Sequence, residues 1–217
     1  MSILPESLLS TLARQSCVSK LKDVPSLVPS PGESKVKAAV LLPLFVQNGE
    51  VHILYTLRSS NLSSHSGQVS FPGGKLDENE KVIDAALRET YEEIGVPPES
   101  VDVWCEMSPL QGRDKTVLIT PVVAFIKNLS VNNLTPNVDE VDEIFSEPMS
   151  FFCDQTKHAH LKHENYMLPV FLGKHKIWGI TGLITHIFLQ CFLPSQLYQT
   201  DFGRKRYKLE ELLPSKL

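Results

Sequence analysis

Three glutamates, Glu89, Glu92 and Glu93, lie in one short segment with the spacing Glu-x-x-Glu-Glu. An α-helix, which turns by about 100° per residue, brings all three onto one stripe of its surface. Carboxylates this close repel one another, and a hard divalent cation such as Mg²⁺ or Mn²⁺ turns that repulsion into binding. The spacing therefore makes Glu89, Glu93 and Glu92 candidate metal ligands. The alternative is a solvated acidic helix face, in which Arg88 pairs with Glu92 four residues on.

The residues around these glutamates predict the helix that carries them. Residues 80–94 follow a helical pattern, which ends at Gly95 and the two prolines after it. Four residues share the arc that we expect to face the core: Ile83, Leu87, Thr90 and Ile94. Ala85 and Ala86 lie beside the acidic stripe, where we expect their small side chains to leave room for a ligand.

Strands and one more helix are expected on either side of this segment. The expected strands are 36–46, 51–57, 101–107, 116–126 and 166–172, and a closing helix spans 178–193. Asn48-Gly49, between the first two strands, is a hairpin signal. Strands interspersed with helices predict an α/β or α+β sandwich. The acidic residues at 139–143 have two interpretations: the start of a solvated helix, which we favour, or a source of a general base in Glu140 or Glu143.

Length and composition limit the possible classes of protein. The chain has 217 residues, 42% of them apolar, and a net charge of -4. It is long enough for a hydrophobic core and too apolar for a disordered chain. We expect an N-terminal extension and Pro/Ser linker at 1–35, one domain at 36–195 and a C-terminal tail at 196–217. Without an excess of positive charge, no nucleic-acid partner is expected.

Several other features are interpreted as structural. The apolar run 177–193 is at the short limit for spanning a bilayer, so we expect a buried helix and no membrane partner. The four cysteines are widely spaced, which indicates free thiols and neither disulfides nor a zinc site. Four histidines have irregular spacing that favours a surface loop over a metal site: His158, His160, His163 and His175.

Both ends of the chain carry possible targeting signals. Ser215-Lys216-Leu217 reads as a peroxisomal address, which implies the peroxisomal import receptor as a partner. Residues 7–22 carry basic side chains among serine and leucine, so the mitochondrion is an alternative, as is the cytoplasm. We expect a peroxisomal protein and leave monomer and homodimer both open.

The acidic segment is part of a longer pattern, the Nudix box G-x5-E-x7-R-E-U-x-E-E-x-G-U, in which U is a bulky apolar residue. The matching residues are Gly74, Glu80, Arg88, Glu89, Glu92, Glu93, Gly95 and Val96. The one departure is Thr90, which is β-branched and able to pack by its methyl group. The chain thus resembles the Nudix hydrolases, which cleave a nucleoside diphosphate linked to another moiety.

The Nudix resemblance implies a fold, a cofactor and a set of site residues. The implied fold is an α/β/α sandwich around a mixed β-sheet, with a catalytic loop-helix-loop. The implied cofactor is Mg²⁺ or Mn²⁺. The residues carried over to catalysis are Glu92, Glu89, Glu80 and Arg88. We expect Arg88 to orient Glu80 or Glu92 rather than to touch substrate, and the general base to be Glu92 or an acid from 139–143.

A second pattern stands immediately upstream of the box. Leu54–Ser59, Gly67 and Phe71–Gly74 resemble the signature of the coenzyme A diphosphatase branch, L-L-T-x-R-[SA]-x3-R-x3-G-x3-F-P-G-G, with Tyr55 in place of leucine and Ser63 in place of the second arginine. The resemblance implies CoA or an acyl-CoA as substrate. Its products are adenosine 3′,5′-bisphosphate and 4′-phosphopantetheine, or the acylated form. Because Ser63 removes a cation, ADP-ribose or a dinucleotide stays open as substrate. A non-catalytic module that binds nucleotides or RNA is a further alternative.

Three residues of this upstream pattern are expected to contact the substrate. The forked guanidinium of Arg58 suits a phosphate group. Gly73 and Gly74 have no Cβ, so their backbone can approach a phosphate or a metal closely.

Overall fold

Two β-sheets, with helices on both faces of the larger one, make up the part of the chain that the structure describes. The structure is a computed structural model and describes residues 5–25, 36–62, 65–112, 116–163 and 166–213. The helices are α1 (Pro5–Leu9), α2 (Thr11–Asp23), α3 (Val82–Ile94), α4 (Met149–Cys153) and α5 (Gly179–Phe192). The strands are β1 (Val36–Gln47), β2 (Glu50–Arg58), β3 (Val69–Ser70), β4 (Gly73–Lys75), β5 (Val101–Glu106), β6 (Leu110–Gln111), β7 (Val117–Ile126), β8 (Val141–Pro148), β9 (His158–His163), β10 (Tyr166–Leu172), β11 (Lys176–Ile177) and β12 (Arg206–Tyr207).

The larger sheet is mixed. Its strand order is β3-β2-β1-β7-β5, while β4 also pairs with β1, β6 with β7 and β8 with β2. β1 and β7 run parallel, and the other pairs of this sheet are antiparallel. The expected hairpin is confirmed: Asn48 and Gly49 both have positive φ, 52° and 74°, as a tight turn between β1 and β2 requires. The smaller sheet has the order β11-β10-β9-β12.

Helices lie on both faces of the larger sheet. α3 contacts β1, β4 and β7, and α5 contributes Ile184 and Phe188 to a core cluster that also contains Tyr55 and Phe71. α2 packs against α5 and also contacts β5. The arrangement confirms the expected α/β/α sandwich around a mixed sheet. The apolar run at 177–193 forms α5, and none of the described helices is long and apolar enough to cross a bilayer.

The interpretation of Ala85 and Ala86 as open space beside the acidic stripe is wrong. Both are fully buried and pack with Ala39, Leu41 and Val122 of the sheet. A side chain of one methyl group lets the axis of α3 approach the sheet closely. The two alanines therefore set the distance between α3, which carries the acidic stripe, and the sheet.

The favoured helix start at 139–143 is also wrong. Val141 begins β8, which runs antiparallel to β2 with Phe145 opposite Tyr55. Val141 and Phe145 are 2% and 8% exposed, so the segment is a half-buried strand. The pairing with β2 outweighs the acidic composition because strand formation depends on cross-strand neighbours more than on local preference.

Residues on both sides of 36–195 pack onto the domain. In the N-terminal segment, Leu8, Cys17 and Leu21 are at most 4% exposed, and the Arg14 guanidinium is 2.9 Å from the carboxylate of Asp102 on β5. In the C-terminal segment, three side chains are buried, Tyr198, Tyr207 and Leu212, and β12 pairs with β9. Ser215-Lys216-Leu217 lies outside the described residues. All four cysteines are free.

Two of the histidines expected in a surface loop are buried in β9, so that prediction is wrong for them. His158 is 1% exposed, and its Nε2 lies 2.8 Å from the Phe152 carbonyl while its Nδ1 accepts the Asp201 N–H at 3.2 Å. His160 is 8% exposed and its Nδ1 lies 2.6 Å from the Phe202 carbonyl. Through these hydrogen bonds to Asp201 and Phe202, the two imidazoles hold the C-terminal segment against the smaller sheet.

Candidate active site

The acidic face of α3 meets a short strand of glycine residues. β4 pairs antiparallel with β1 and places Gly73 opposite Val40 and Gly74 opposite Ala39. Gly73 has φ of 149°, and a Cβ there would overlap the backbone carbonyl of Ala39. Only glycine fits this position. The pairing therefore fixes the backbone of Gly73 and Gly74 beside the carboxylates of α3.

Glu93 is the most deeply buried carboxylate of the site, at 5% exposure. The Gly73 N–H donates to its Oε2 at 3.1 Å. Burial raises the pKa of Glu93 to about 8, the charges of Glu140 and Glu89 act in the same direction, and the Gly73 N–H and the Arg58 charge oppose them. Such surroundings favour the protonated form of the carboxyl group, and a cation beside it would favour the ionised form.

Glu89 lies directly over Gly74. A Cβ on Gly74 would stand 2.5 Å from both carboxylate oxygens of Glu89. Burial raises the pKa of Glu89, Arg88 opposes that shift, and the charges of Glu92 and Glu140 add to it. The absent Cβ is thus what allows a carboxylate to stand over the glycine strand.

Arg88 connects four acceptors around the site. Its Nε and Nη2 donate to the two oxygens of Glu80 at 2.8 and 2.9 Å. Its Nη1 donates to Glu89 at 3.0 Å and to Glu92 at 3.1 Å, and its Nη2 also reaches the Lys75 carbonyl at 3.2 Å. The Arg88 guanidinium, helped by a backbone N–H, lowers the pKa of Glu80 to about 2. Arg88 therefore orients Glu80, Glu89 and Glu92 at once.

Arg58 and Glu140 reach the site from neighbouring strands. The end of β2 and the start of β8 are adjacent, with Arg58 opposite Val141 and the Ser59 N–H donating to the Glu140 carbonyl at 2.8 Å. The Nε of Arg58 is buried and, within the described residues, has no hydrogen-bond partner. Buried donors without partners are rare, so an acceptor from a ligand is expected at this atom.

Of the two acids considered as general base in 139–143, Glu140 is the one whose backbone is tied to the site, through the Asn137 N–H that donates to the Glu93 carbonyl at 2.8 Å. Its charge acts on both Glu89 and Glu93. Glu143 instead pairs with Lys174 and with His175, whose Nε2 is 3.0 Å from its Oε2. Lys174 and His175 lower the pKa of Glu143, which is the behaviour of a structural ion pair.

The three carboxylates of α3 do not converge on one point. Across the described ranges, no three acidic, histidine or cysteine side chains form a group able to hold a metal ion. Glu92 is turned to Arg88, and its side chain is 52% exposed. Glu93 is buried and Glu89 half-buried beside the glycine strand, and both have a raised pKa. Two desolvated carboxylates fit Mg²⁺ or Mn²⁺, because such ions take few protein oxygens and keep several waters.

Thr90, the departure from the Nudix box, packs as an apolar residue. It is fully buried, and its Oγ1 donates to the Ala86 carbonyl at 2.6 Å. The hydroxyl is satisfied within the helix, so the methyl group is free to face the core. The expectation that Thr90 packs inside is confirmed.

Residues 35–168 match the family model for the NUDIX domain. The chain belongs to the Nudix family. As a Nudix hydrolase it shares the fold of a MutT/nudix family protein from Enterococcus faecalis, with a TM-score of 0.52 and 19% identity over 80% of this chain and 71% of the other. Nudix hydrolases generally need divalent metal ions.

This Nudix hydrolase is similar to several relatives along most of its length. It is 41% identical to the mitochondrial coenzyme A diphosphatase NUDT8 of Mus musculus over 174 residues, which cover 76% of this chain and 82% of the relative. The protein of the same name from Homo sapiens is 41% identical over 165 residues, covering 72% and 70%. Nudix hydrolase 3 of Caenorhabditis elegans is 32% identical over 215 residues, covering 87% and 88%.

Proposed function

We propose that this Nudix hydrolase cleaves the diphosphate of CoA and acyl-CoA, giving adenosine 3′,5′-bisphosphate and 4′-phosphopantetheine or its acylated form. The observation that carries the substrate is the 41% identity to two proteins named coenzyme A diphosphatase. The signature at residues 54–74, immediately before the Nudix box, supports the same substrate.

We infer that Glu89 and Glu93 hold a divalent cation. Glu92, the third candidate ligand, pairs with Arg88 in this structure and would have to turn away from it to join them. The position of Glu93, 5% exposed, and of Glu89, half-buried over Gly74, supports this role. A bound Mg²⁺ or Mn²⁺ would neutralise charge on the diphosphate and would activate the attacking water. Arg88 and Glu80 act as a positioning pair, since each holds the other while Arg88 also holds Glu89 and Glu92.

Arg58, Gly73 and Gly74 bind the substrate in this proposal. The buried Nε of Arg58 has no acceptor within the described residues, and a phosphate oxygen supplies one. A doubly charged diphosphate brings the negative charge that suits this guanidinium. At Gly73 and Gly74 the space of the absent Cβ is taken by the Ala39 backbone and by the Glu89 carboxylate, so these glycines would contact the substrate through backbone atoms beside that carboxylate.

Glu140 is the proton acceptor that the geometry favours, with Glu92 as the alternative. As a water oxygen attacks one phosphorus, the P–O bond of the anhydride breaks, and its electron pair goes to the leaving phosphate. The proton of the water passes to the carboxylate of Glu140. The charge of Glu140 acts on both Glu89 and Glu93, whereas Glu92 is engaged by Arg88.

The decisive experiment incubates the purified protein with Mg²⁺ and a panel of CoA, acetyl-CoA, a long-chain acyl-CoA, ADP-ribose and a diadenosine polyphosphate. Release of adenosine 3′,5′-bisphosphate from CoA, lost in chelator, is the expected result. Turnover of ADP-ribose or the dinucleotide without turnover of any CoA would overturn the substrate. Ser63, which lies outside the described residues, is the feature that favours this second candidate.

The variant Glu93→Gln separates an enzyme from a module that only binds nucleotides. An enzyme loses most of its turnover because Glu93 is a metal ligand in this proposal. A binding module keeps its affinity for CoA both in the variant and in chelator. Equal CoA affinity with no turnover in the unchanged protein would therefore contradict catalysis.

Localisation is a separate proposal, in which Ser215-Lys216-Leu217 directs the protein to peroxisomes. Two similar animal proteins are named mitochondrial, so the mitochondrion is the alternative. A fluorescent protein placed at the N-terminus is expected to mark peroxisomes and to become cytosolic when Leu217 is removed. Mitochondrial fluorescence that depends on residues 7–22 would overturn the peroxisomal assignment.

A further inference from the structure

A turn of five residues, Asn137–Val141, carries Glu140 to the site and is organised by its first residue. The Asn137 carbonyl accepts the N–H of Glu140 at 2.9 Å and that of Val141 at 2.8 Å. The Oδ1 of Asn137 accepts the N–H of Asp139 at 3.2 Å. Asn137 thus accepts the N–H groups of three of the next four residues. The bond from its side-chain oxygen to the N–H two residues on is an Asx turn.

The same turn is tied to the elements on both sides of the site. The Asn137 N–H donates to the carbonyl of Glu93, on the last turn of α3, at 2.8 Å. The Glu140 carbonyl accepts the N–H of Ser59, the residue after Arg58, at 2.8 Å. A continuous row of hydrogen bonds therefore joins the end of α3, the turn and the end of β2.

The backbone of Glu140 is held from both sides. Glu140 precedes the first residue of β8, so its N–H is bonded to the Asn137 carbonyl within the turn and not to a strand partner. Its carbonyl accepts the Ser59 N–H, and Asn137 in turn is bonded to the carbonyl of Glu93. The turn therefore sets the distance between the backbone of Glu140 and the end of α3.

We infer that Asn137 is a positioning residue, which acts through Glu140: its amide oxygen, bonded to the Asp139 N–H, stiffens the turn that sets the backbone of Glu140 beside the end of α3. Its effect on turnover rests on the proposed function. Its effect on cation binding rests only on the part of that proposal in which Glu89 and Glu93 hold a divalent cation, and not on the substrate.

The test is a double-mutant cycle with Asn137→Ala, Glu140→Gln and the combined variant. We expect each single variant to lower kcat with CoA by about 10- to 100-fold, the usual loss for residues that orient a site. If Asn137 acts through Glu140, the combined variant is no slower than Glu140→Gln alone. If the fold-loss of kcat in the combined variant equals the product of the losses in the two single variants, Asn137 acts independently of Glu140. That result would overturn the positioning role.

Three comparisons guard against a general effect on folding. Asn137→Asp keeps an oxygen that accepts the Asp139 N–H and is expected to recover most of the kcat lost in Asn137→Ala. Asn133→Ala makes the same substitution at an exposed residue of the neighbouring short turn Val131–Asn133 and is expected to behave as the unchanged protein. Thermal unfolding of every variant identifies any that does not fold, and Asn137→Leu, which also lacks an acceptor oxygen, then takes the place of Asn137→Ala.

The same cycle measured as Mn²⁺ affinity separates this inference from the proposed function. Weaker Mn²⁺ binding in Asn137→Ala, with no further loss in the combined variant, supports the positioning role even if CoA is not a substrate. Normal CoA turnover by the unchanged protein together with unchanged Mn²⁺ affinity and kcat in Asn137→Ala overturns the positioning role and leaves the proposed function intact.

Discussion

The carboxylate of Glu89 lies over the α-carbon of Gly74, where a Cβ would stand 2.5 Å from each of its oxygens. The neighbouring Gly73 is restricted differently, because a Cβ there would meet the backbone of Ala39 and Val40. A side chain can move out of the way, whereas a backbone in a sheet cannot. The two adjacent glycines therefore serve different purposes.

Alanine substitutions should separate these purposes. Gly74→Ala displaces the flexible Glu89 side chain, so we expect catalytic efficiency to fall by about 100-fold while the melting temperature changes little. Gly73→Ala forces a residue with a Cβ into φ of 149° against the Ala39 carbonyl and should lower the free energy of unfolding by about 2 kcal/mol or more. Thermal unfolding and turnover of both variants check this. Full activity in Gly74→Ala would show that Glu89 has no part in the site.

Arg88→Lys should reduce turnover by about 10- to 100-fold, because one ammonium cannot hold Glu80 in two places and also reach Glu89 and Glu92. The measurement is kcat/KM with the best substrate of the panel. Arg14→Lys is the matched control, since Arg14 is also engaged by a carboxylate, that of Asp102, but on the other side of the domain. Its activity should be unchanged, and equal losses in both variants would count against the role of Arg88.

The metal-free protein should lose stability as the pH rises. The folded state raises the pKa of Glu93 from 4.5 to about 8, so between these values the folded protein binds more protons than the unfolded chain. The contribution is fully present below about pH 4.5 and is lost as the pH passes about 8, with a magnitude on the order of a few kcal/mol.

Urea unfolding in chelator at several pH values from 5 to about 8.5 measures this effect. Glu93→Gln carries no such titration, so its stability should fall less with pH than that of the unchanged protein. Adding Mg²⁺ should restore stability to the unchanged protein at the upper end of the range, because the cation binds the ionised carboxylate. A steeper fall in the variant than in the unchanged protein would contradict the burial of a protonated Glu93.

Tyr55, which stands where the branch signature has leucine, should matter for stability and not for turnover. Its ring is fully buried between those of Phe71 and Phe145, and its hydroxyl is 3.0 Å from Thr185 on α5. Tyr55→Phe should cost about 1 kcal/mol of unfolding free energy, for the lost hydrogen bond. Tyr55→Leu should cost about 2 to 4 kcal/mol because it also leaves a cavity. Denaturant unfolding gives both values, and a large loss of kcat in a well-folded Tyr55→Phe would place Tyr55 in the site instead.

The part of the site that follows from consecutive residues could be predicted from the sequence. The Nudix box places Glu80, Arg88, Glu89 and Glu93 on or just before one helix, and helical geometry then fixes which of them share a face. The buried positions of Thr90 and Ile94 follow from the same periodicity and are confirmed.

The rest of the site depends on which strands become neighbours. Glu140 comes near Glu93 because β8 pairs with β2, a contact between residues about 85 positions apart that no local pattern specifies. The acidic run around Glu140 favoured a helix for the same reason, since its composition says nothing of the partner strand. Likewise the distance between α3 and the sheet, which buries Ala85 and Ala86, is set by packing and not by periodicity.

The attachment of β4 to β1 has a consequence for ligand binding. Because Gly73 and Gly74 are already hydrogen-bonded into the sheet, their backbone has little conformational freedom left to lose when a phosphate or a cation arrives. Binding of a ligand at these glycines should therefore cost little conformational entropy. More of the free energy of each contact then contributes to the affinity.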